Sequence, residues 1–107
     1  MSDLANQHCT GSSALLTTNE INSYLQQLTD WMVSDNKKSI SKDFQFANFD
    51  RTIAFVNALA WIANQENHHP DLEVGYRHCL VRYTTHSVGG LSRYDFICAA
   101  KINALAV

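Results

Sequence analysis

Ile21, Tyr24, Leu25 and Leu28 recur at spacings of three and four, the period that brings side chains onto one face of an α-helix. Thr17 and Glu20 precede that stripe with the spacing of a capping box, in which a hydroxyl and a carboxylate satisfy the free N–H groups of the first turn. Together they predict a short amphipathic helix. Trp31-Met32-Val33 is a short apolar run, Asp35-Asn36-Lys37-Lys38 a polar turn, and Ile40, Phe44 and Phe46 continue in alternation, which reads as a hairpin. Asn48 is placed to cap the longest helix, where Phe49, Ile53, Val56, Leu59, Ala60 and Ala63 define a broad apolar face. Pro70 lacks an N–H and disfavours helical geometry at His69, so this helix should stop around residues 66–69.

Beyond Asp71, residues 73–76 and 79–86 look extended, with Arg77-His78 as the turn between them. Alternation along the second segment puts Cys79, Val81, Tyr83 and Thr85 on one side and Arg82, Thr84 and His86 on the other. Gly89-Gly90 breaks the strand, and Ser92 with Asp95 repeats the capping spacing before a last helix carrying Phe96, Ile97, Ala100 and Ile102. The order is α-β-β-α-β-β-α. Two separated hairpins without a repeating strand-helix-strand unit argue for an α+β fold, an antiparallel sheet with helices on one face. Residues 1–13 are polar and lack an apolar period, so they read as a disordered leader, and residues 14–107 as a single domain.

Composition narrows the class. The 107 residues are 46% hydrophobic and 17% charged, which suits a globular domain with a real core. A net charge of -2 with scattered Lys and Arg leaves no footprint for direct nucleic-acid binding. No apolar stretch approaches the roughly 18 to 20 residues of a membrane span, and no basic segment followed by an apolar run opens the chain. These missing signals predict a cytoplasmic protein. Cys9, Cys79 and Cys98 show no CxxC spacing, so Cys79 and Cys98 are expected as small buried apolar residues and Cys9 in the leader.

Four of the five histidines lie between His68 and His86, and two are adjacent in Asn67-His68-His69-Pro70. Neighbouring histidines at a helix end point in different directions and can line two sides of a pocket. His86 sits at a strand end, where side chains are commonly offered to ligands. Imidazole exchanges protons near neutrality, so one reading is general acid–base catalysis. A structural reading stands beside it, in which His68 caps the last helical carbonyls and His86 fills a polar strand end. A metal site is disfavoured, because adjacent histidines cannot chelate one ion from a single helical face. His78 in a turn and His8 in the tail are expected to be solvated bystanders. Asp95 carries two readings, capping residue or functional carboxylate, and Arg82 and Arg93 are open between anion binding and solvated charge.

Glu66-Asn67-His68-His69-Pro70-Asp71, then Tyr76, Thr85-His86, Gly89-Gly90-Leu91 and Asp95-Phe96, resemble the signature of the pterin-4a-carbinolamine dehydratases. The resemblance runs from about Leu16 to Ile102 and includes Trp31, Phe44, Phe46 and Phe49. It implies a four-stranded antiparallel sheet with three helices and assembly as homodimers or homotetramers. It also implies dehydration of 4a-hydroxytetrahydrobiopterin, or a related reduced pterin, to the quinonoid dihydropterin in tetrahydrobiopterin recycling. The family's catalytic histidines fall on His68, His69 and His86; Glu66, Pro70, Thr85 and Asp95 fall on substrate-binding positions. His68 and His69 would move protons and His86 would orient the pterin or its hydroxyl, with no metal or redox cofactor. Two positions depart: Asn64 stands where many members are acidic, and Leu72 where animal members often have Trp. Some animal members also bind a homeodomain transcription factor as a dimerisation cofactor, so a non-catalytic cofactor or pterin-binding scaffold is the alternative.

Overall fold

A computed structural model describes residues 3–11 and 13–105. The elements follow the expected order: α1 (Thr18–Leu25), β1 (Met32–Val33), β2 (Ile40–Gln45), α2 (Phe49–Glu66), β3 (Asp71–Val74), β4 (His78–Tyr83) and α3 (Arg93–Asn103). All three helix starts are capped as the side chains predict. Thr17 and Ser92 each close a capping box with Glu20 and Asp95, and the Asn48 side chain accepts from the Arg51 N–H. A cap of this kind contributes about 1 kcal/mol.

The four strands form one antiparallel sheet in the order β1-β2-β4-β3. Register fixes which face is which. Ile40 pairs with Tyr83, Lys42 with Val81 and Phe44 with Cys79, while Leu72 and Val74 of β3 meet Val81 and Cys79, so these residues share the inner face. The outer face carries Ser41, Asp43, Asp71, Glu73 and Arg82, with His78 Nδ1 2.9 Å from Asp43 Oδ1. The helices cover the inner face, as the α+β reading requires, around a core that includes Ile40, Phe55, Leu59, Val81, Tyr83, Phe96 and Ile97.

Strand limits in the second hairpin are shifted from expectation. The turn spans residues 75–77 rather than Arg77-His78, and His78 is the first residue of β4. Gly75 sets that turn: its N–H donates to His78 O at 2.8 Å, and a Cβ there would lie 2.4 Å from the His78 ring. β4 ends at Tyr83, so His86 opens a 3-10 turn (His86–Val88) instead of ending a strand.

The buried face of α2 keeps Leu59 and Ala63 of the predicted one, with Val56 packed against the core, but is rotated at its start away from Phe49. Thr52, Phe55, Leu59, Ala63 and Glu66 are buried, whereas Phe49 is 47% exposed and Trp61 67% exposed. The hairpin decides this. Phe44 and Phe46 pack on Phe55 with ring centroids 4.6 and 5.0 Å apart, and buried Thr52 satisfies its hydroxyl on Asn48 O and Tyr76 O.

Of the leader expected over residues 1–13, Met1, Ser2 and Ser12 lie outside the described residues. The described part is packed against α3. Leu4 is 1% exposed, Lys101 Nζ donates to Ala5 O at 2.8 Å, Arg93 donates to the carbonyls of His8 and Thr10, and the Tyr94 hydroxyl to that of Gly11. One buried apolar residue and side-chain donors from α3 order a segment that has no apolar period of its own.

Candidate active site

α2 ends as Pro70 requires, and Asn67 makes the exit in the left-handed conformation (φ 52). The His68 N–H returns to Ala63 O at 3.1 Å, which frees its side chain to leave the helix. The imidazole does not cap the helix. Its Nε2 lies 2.6 Å from Asp95 Oδ1, and the two side chains are 12% and 0% exposed. Tyr83 lies nearly parallel to the imidazole (centroids 5.1 Å apart, 16°), and Tyr94 approaches edge-on at 6.0 Å. The Tyr83 hydroxyl donates to His68 O at 3.2 Å.

Asp95 makes the capping bond that its spacing predicts, and its carboxylate has further partners. Oδ2 accepts from the Ser92 N–H at 3.0 Å, the capping bond, and from the Thr85 hydroxyl at 2.8 Å, while Oδ1 faces His68. Thr85 and Ser92 hydroxyls are 2.8 Å apart. The start of α3, β4's continuation and the end of α2 therefore meet on one buried carboxylate at a helix N-terminus, where negative charge is favoured.

His69 and His86 are exposed. His69 Nε2 bonds Asn64 Oδ1 at 3.1 Å, so Asn64 contacts the histidine block directly. Thr85, which bridges to Gly90, turns inward to Asp95, and His86 follows it at the surface; Gly89 (φ 73) closes the turn. Pro70 is half-buried beside His69.

Glu66 turns another way. Its carboxylate accepts from the Cys9 N–H at 2.7 Å, lies 2.9 Å from His8 Nδ1 and is 3.9 Å from Lys101 Nζ. Burial pushes the Glu66 carboxyl upward, but the Cys9 N–H, His8 and Lys101 together outweigh it and hold it below its ordinary value. His8 is thus a partner of Glu66, not a bystander, and Cys9 sits 3.7 Å from the Cys98 sulfur. Cys79 and Cys98 are buried as expected; burial, with Asp43 nearby, pushes the Cys79 thiol up to about 11. Arg93 is occupied by the N-terminal segment and by the Tyr94 ring, whereas Arg82 lies on the outer face near Glu73. Among the described residues, no group of three or more His, Cys, Asp or Glu is arranged to hold a metal ion.

Sequence reasoning missed Tyr83 and Tyr94 as neighbours of His68. Tyr83 had a signal, its place on the inward side of β4 in line with Thr85. Tyr94 had none beyond its place one residue before Asp95.

The family described as pterin 4 alpha carbinolamine dehydratase matches residues 14–105. A Legionella pneumophila protein provisionally named pterin-4-alpha-carbinolamine dehydratase is 53% identical, with 99% of this chain and 97% of that one covered. A Nitrosomonas eutropha protein of the same provisional name is 49% identical over 98% and 95%. Among solved structures, a transcriptional coactivator/pterin dehydratase from Brucella melitensis superposes with a TM-score of 0.80 at 32% identity, covering 83% of this chain and 95% of that one. A pterin dehydratase-like protein identified as a RuBisCO assembly factor in the alpha-carboxysome shares the fold, with a TM-score of 0.62 at 22% identity over 71% and 88%.

Proposed function

Because the chain belongs to the pterin-4a-carbinolamine dehydratase family, we propose that it removes water from a 4a-hydroxytetrahydropterin by histidine acid–base catalysis, as a step in tetrahydrobiopterin recycling. The reaction breaks the C4a–O bond, takes the proton from N5 and delivers one proton to the leaving hydroxyl, giving quinonoid dihydropterin and water. One base and one acid suffice.

The observation that carries the reading is the buried Asp95 carboxylate 2.6 Å from His68 Nε2. A carboxylate there accepts the Nε2–H of the neutral ring, which leaves the lone pair on Nδ1. Among the described residues, Nδ1 has no hydrogen-bond partner. His68 is the base, taking the N5 proton on Nδ1, and Asp95 stabilises the imidazolium that results. Exposed His69, next in the chain, is the acid for the leaving hydroxyl, and His86, beside Thr85, orients it. Positioned proton transfer of this kind contributes on the order of 10² to 10⁴ in rate. Thr85 and Pro70 line the approach, while Glu66 acts indirectly by holding the N-terminal segment beside the histidine block.

The test follows the ultraviolet decay of freshly generated 4a-hydroxytetrahydropterin with the full chain and with His68→Ala and His86→Ala. Acceleration by the native chain, lost on the order of 10²-fold or more in His68→Ala, supports the reading. A folded native chain that leaves the buffer rate unchanged overturns it. That outcome favours a non-catalytic role, for which the coactivator description of the Brucella structure and the exposed Phe49 and Trp61 of α2 speak. Assembly as a homodimer or homotetramer, implied by the family resemblance, belongs to the same proposal.

A further inference from the structure

We infer that Tyr83 is a positioning residue for His68: its ring sets the plane of the imidazole, and its hydroxyl ties down the backbone from which that imidazole springs. Three observations converge on this residue. The phenol lies 5.1 Å from the imidazole at 16°, its hydroxyl donates to His68 O at 3.2 Å, and the whole side chain is 0% exposed. A core position of this kind needs only apolar volume, which Leu or Phe would supply. Tyrosine adds a hydroxyl that must find partners inside the protein, and beside the Cys98 thiol it donates to a carbonyl of the histidine block. Burial pushes the phenol far above its usual range, so the hydroxyl keeps its proton and remains a donor.

The geometry also explains why Asp95 alone does not fix the ring. With the ring tethered at Cβ, one hydrogen bond to Nε2 still lets the imidazole rock about the Cβ–Cγ bond. The flat face of Tyr83, with the edge of Tyr94 at 6.0 Å, removes that freedom and fixes the direction in which Nδ1 is offered. Asn67 in the left-handed conformation delivers His68 out of α2, and Tyr83, last residue of β4, meets it from the sheet. The stacked pair is thus the joint between helix end and sheet. Its consequence for turnover rests on the dehydratase reading; its consequence for the imidazole does not.

The test separates the two. In ¹H–¹⁵N correlation spectra of the substrate-free full chain, His68 should be dominated by the tautomer protonated on Nε2. Its carbon-bound ring protons should be shifted upfield by the Tyr83 ring. Tyr83→Leu keeps apolar volume but removes stack and hydroxyl; the upfield shift should vanish, the tautomers should mix, and kcat should fall on the order of ten- to a hundred-fold with KM changed far less. Tyr83→Phe restores the ring and should recover the upfield shift and most of kcat. Wild-type His68 protons without an upfield shift overturn the inference, even if Tyr83→Leu does not fold. So does a folded Tyr83→Leu that keeps the wild-type tautomer, since the ring-current shift goes with the ring in any case. A native chain without dehydratase activity but with the stacked-ring signature leaves the positioning role standing and removes only the catalytic reading.

Discussion

Asp95 accepts from Ser92 N–H and the Thr85 hydroxyl on one oxygen and meets His68 on the other, and this division of labour makes a sharp prediction for Asp95→Asn. The Ser92 N–H is an obligatory buried donor, so the asparagine oxygen must face it. The NH₂ then faces His68 Nε2, which must become the acceptor, and the ring proton moves to Nδ1. On the proposed mechanism the base is then lost although the fold is kept. Dehydration should fall on the order of 10³-fold or more, with a near-native circular dichroism spectrum and the Nδ1–H tautomer in ¹⁵N spectra. Unchanged kcat in Asp95→Asn would place the base elsewhere. At this scale the spacing of Ser92 and Asp95 was legible as a cap, because capping is local. The pairing with His68, 27 residues away, was not, because it depends on where α2 ends relative to the start of α3.

α2 is the element that presents the histidines, and its rotation is set by the hairpin before it. Phe55, 2% exposed, takes the Phe44 and Phe46 rings, so it holds α2 on the sheet. Phe55→Ala should therefore lower stability by about 3–5 kcal/mol, read from urea denaturation with an unchanged slope. A smaller loss, near 1 kcal/mol, would mean that other contacts orient the helix. The helix itself, its Asn48 cap and its stop before Pro70 could be read from the chain. Its buried face could be read only in part, at Val56, Leu59 and Ala63. Phe49, Ile53 and Ala60 satisfy the helical period as well as Thr52 and Phe55 do, and only the partner surface chooses between them.

For the whole molecule, residues 3–11 tie the start of the chain to α3 and to the end of α2. Glu66 is the anchor, bonded to the Cys9 N–H and His8. Its carboxyl is held below its ordinary value of 4.5 in the folded chain, so its stabilising contribution is complete above that value. The contribution is lost as pH falls through the lower folded value. Amide exchange at Cys9, corrected for its intrinsic rate, should lose protection below about pH 4.5 before the core strands do. Glu66→Gln should show the weakened protection already at neutral pH. A Cys9 amide whose protection follows the core at every pH would show that Glu66 does not hold the segment.

The sequence by itself determined what short-range rules govern. Side-chain caps set the helix starts, Pro70 stopped α2, alternation told the two faces of β4 apart, and the His68-His69-Pro70 and Thr85-His86 blocks named the family. Each of these acts over a few residues and leaves a local mark. Tertiary structure decided what depends on packing between distant segments: the rotation of α2, the order of the N-terminal segment, the turn of Glu66 toward Cys9, 57 residues away, and the seating of His68 between Asp95 and Tyr83. The rotation of α2 follows from aromatic packing against the hairpin, and the others from buried polar groups seeking partners in a closed core, conditions imposed by the fold as a whole.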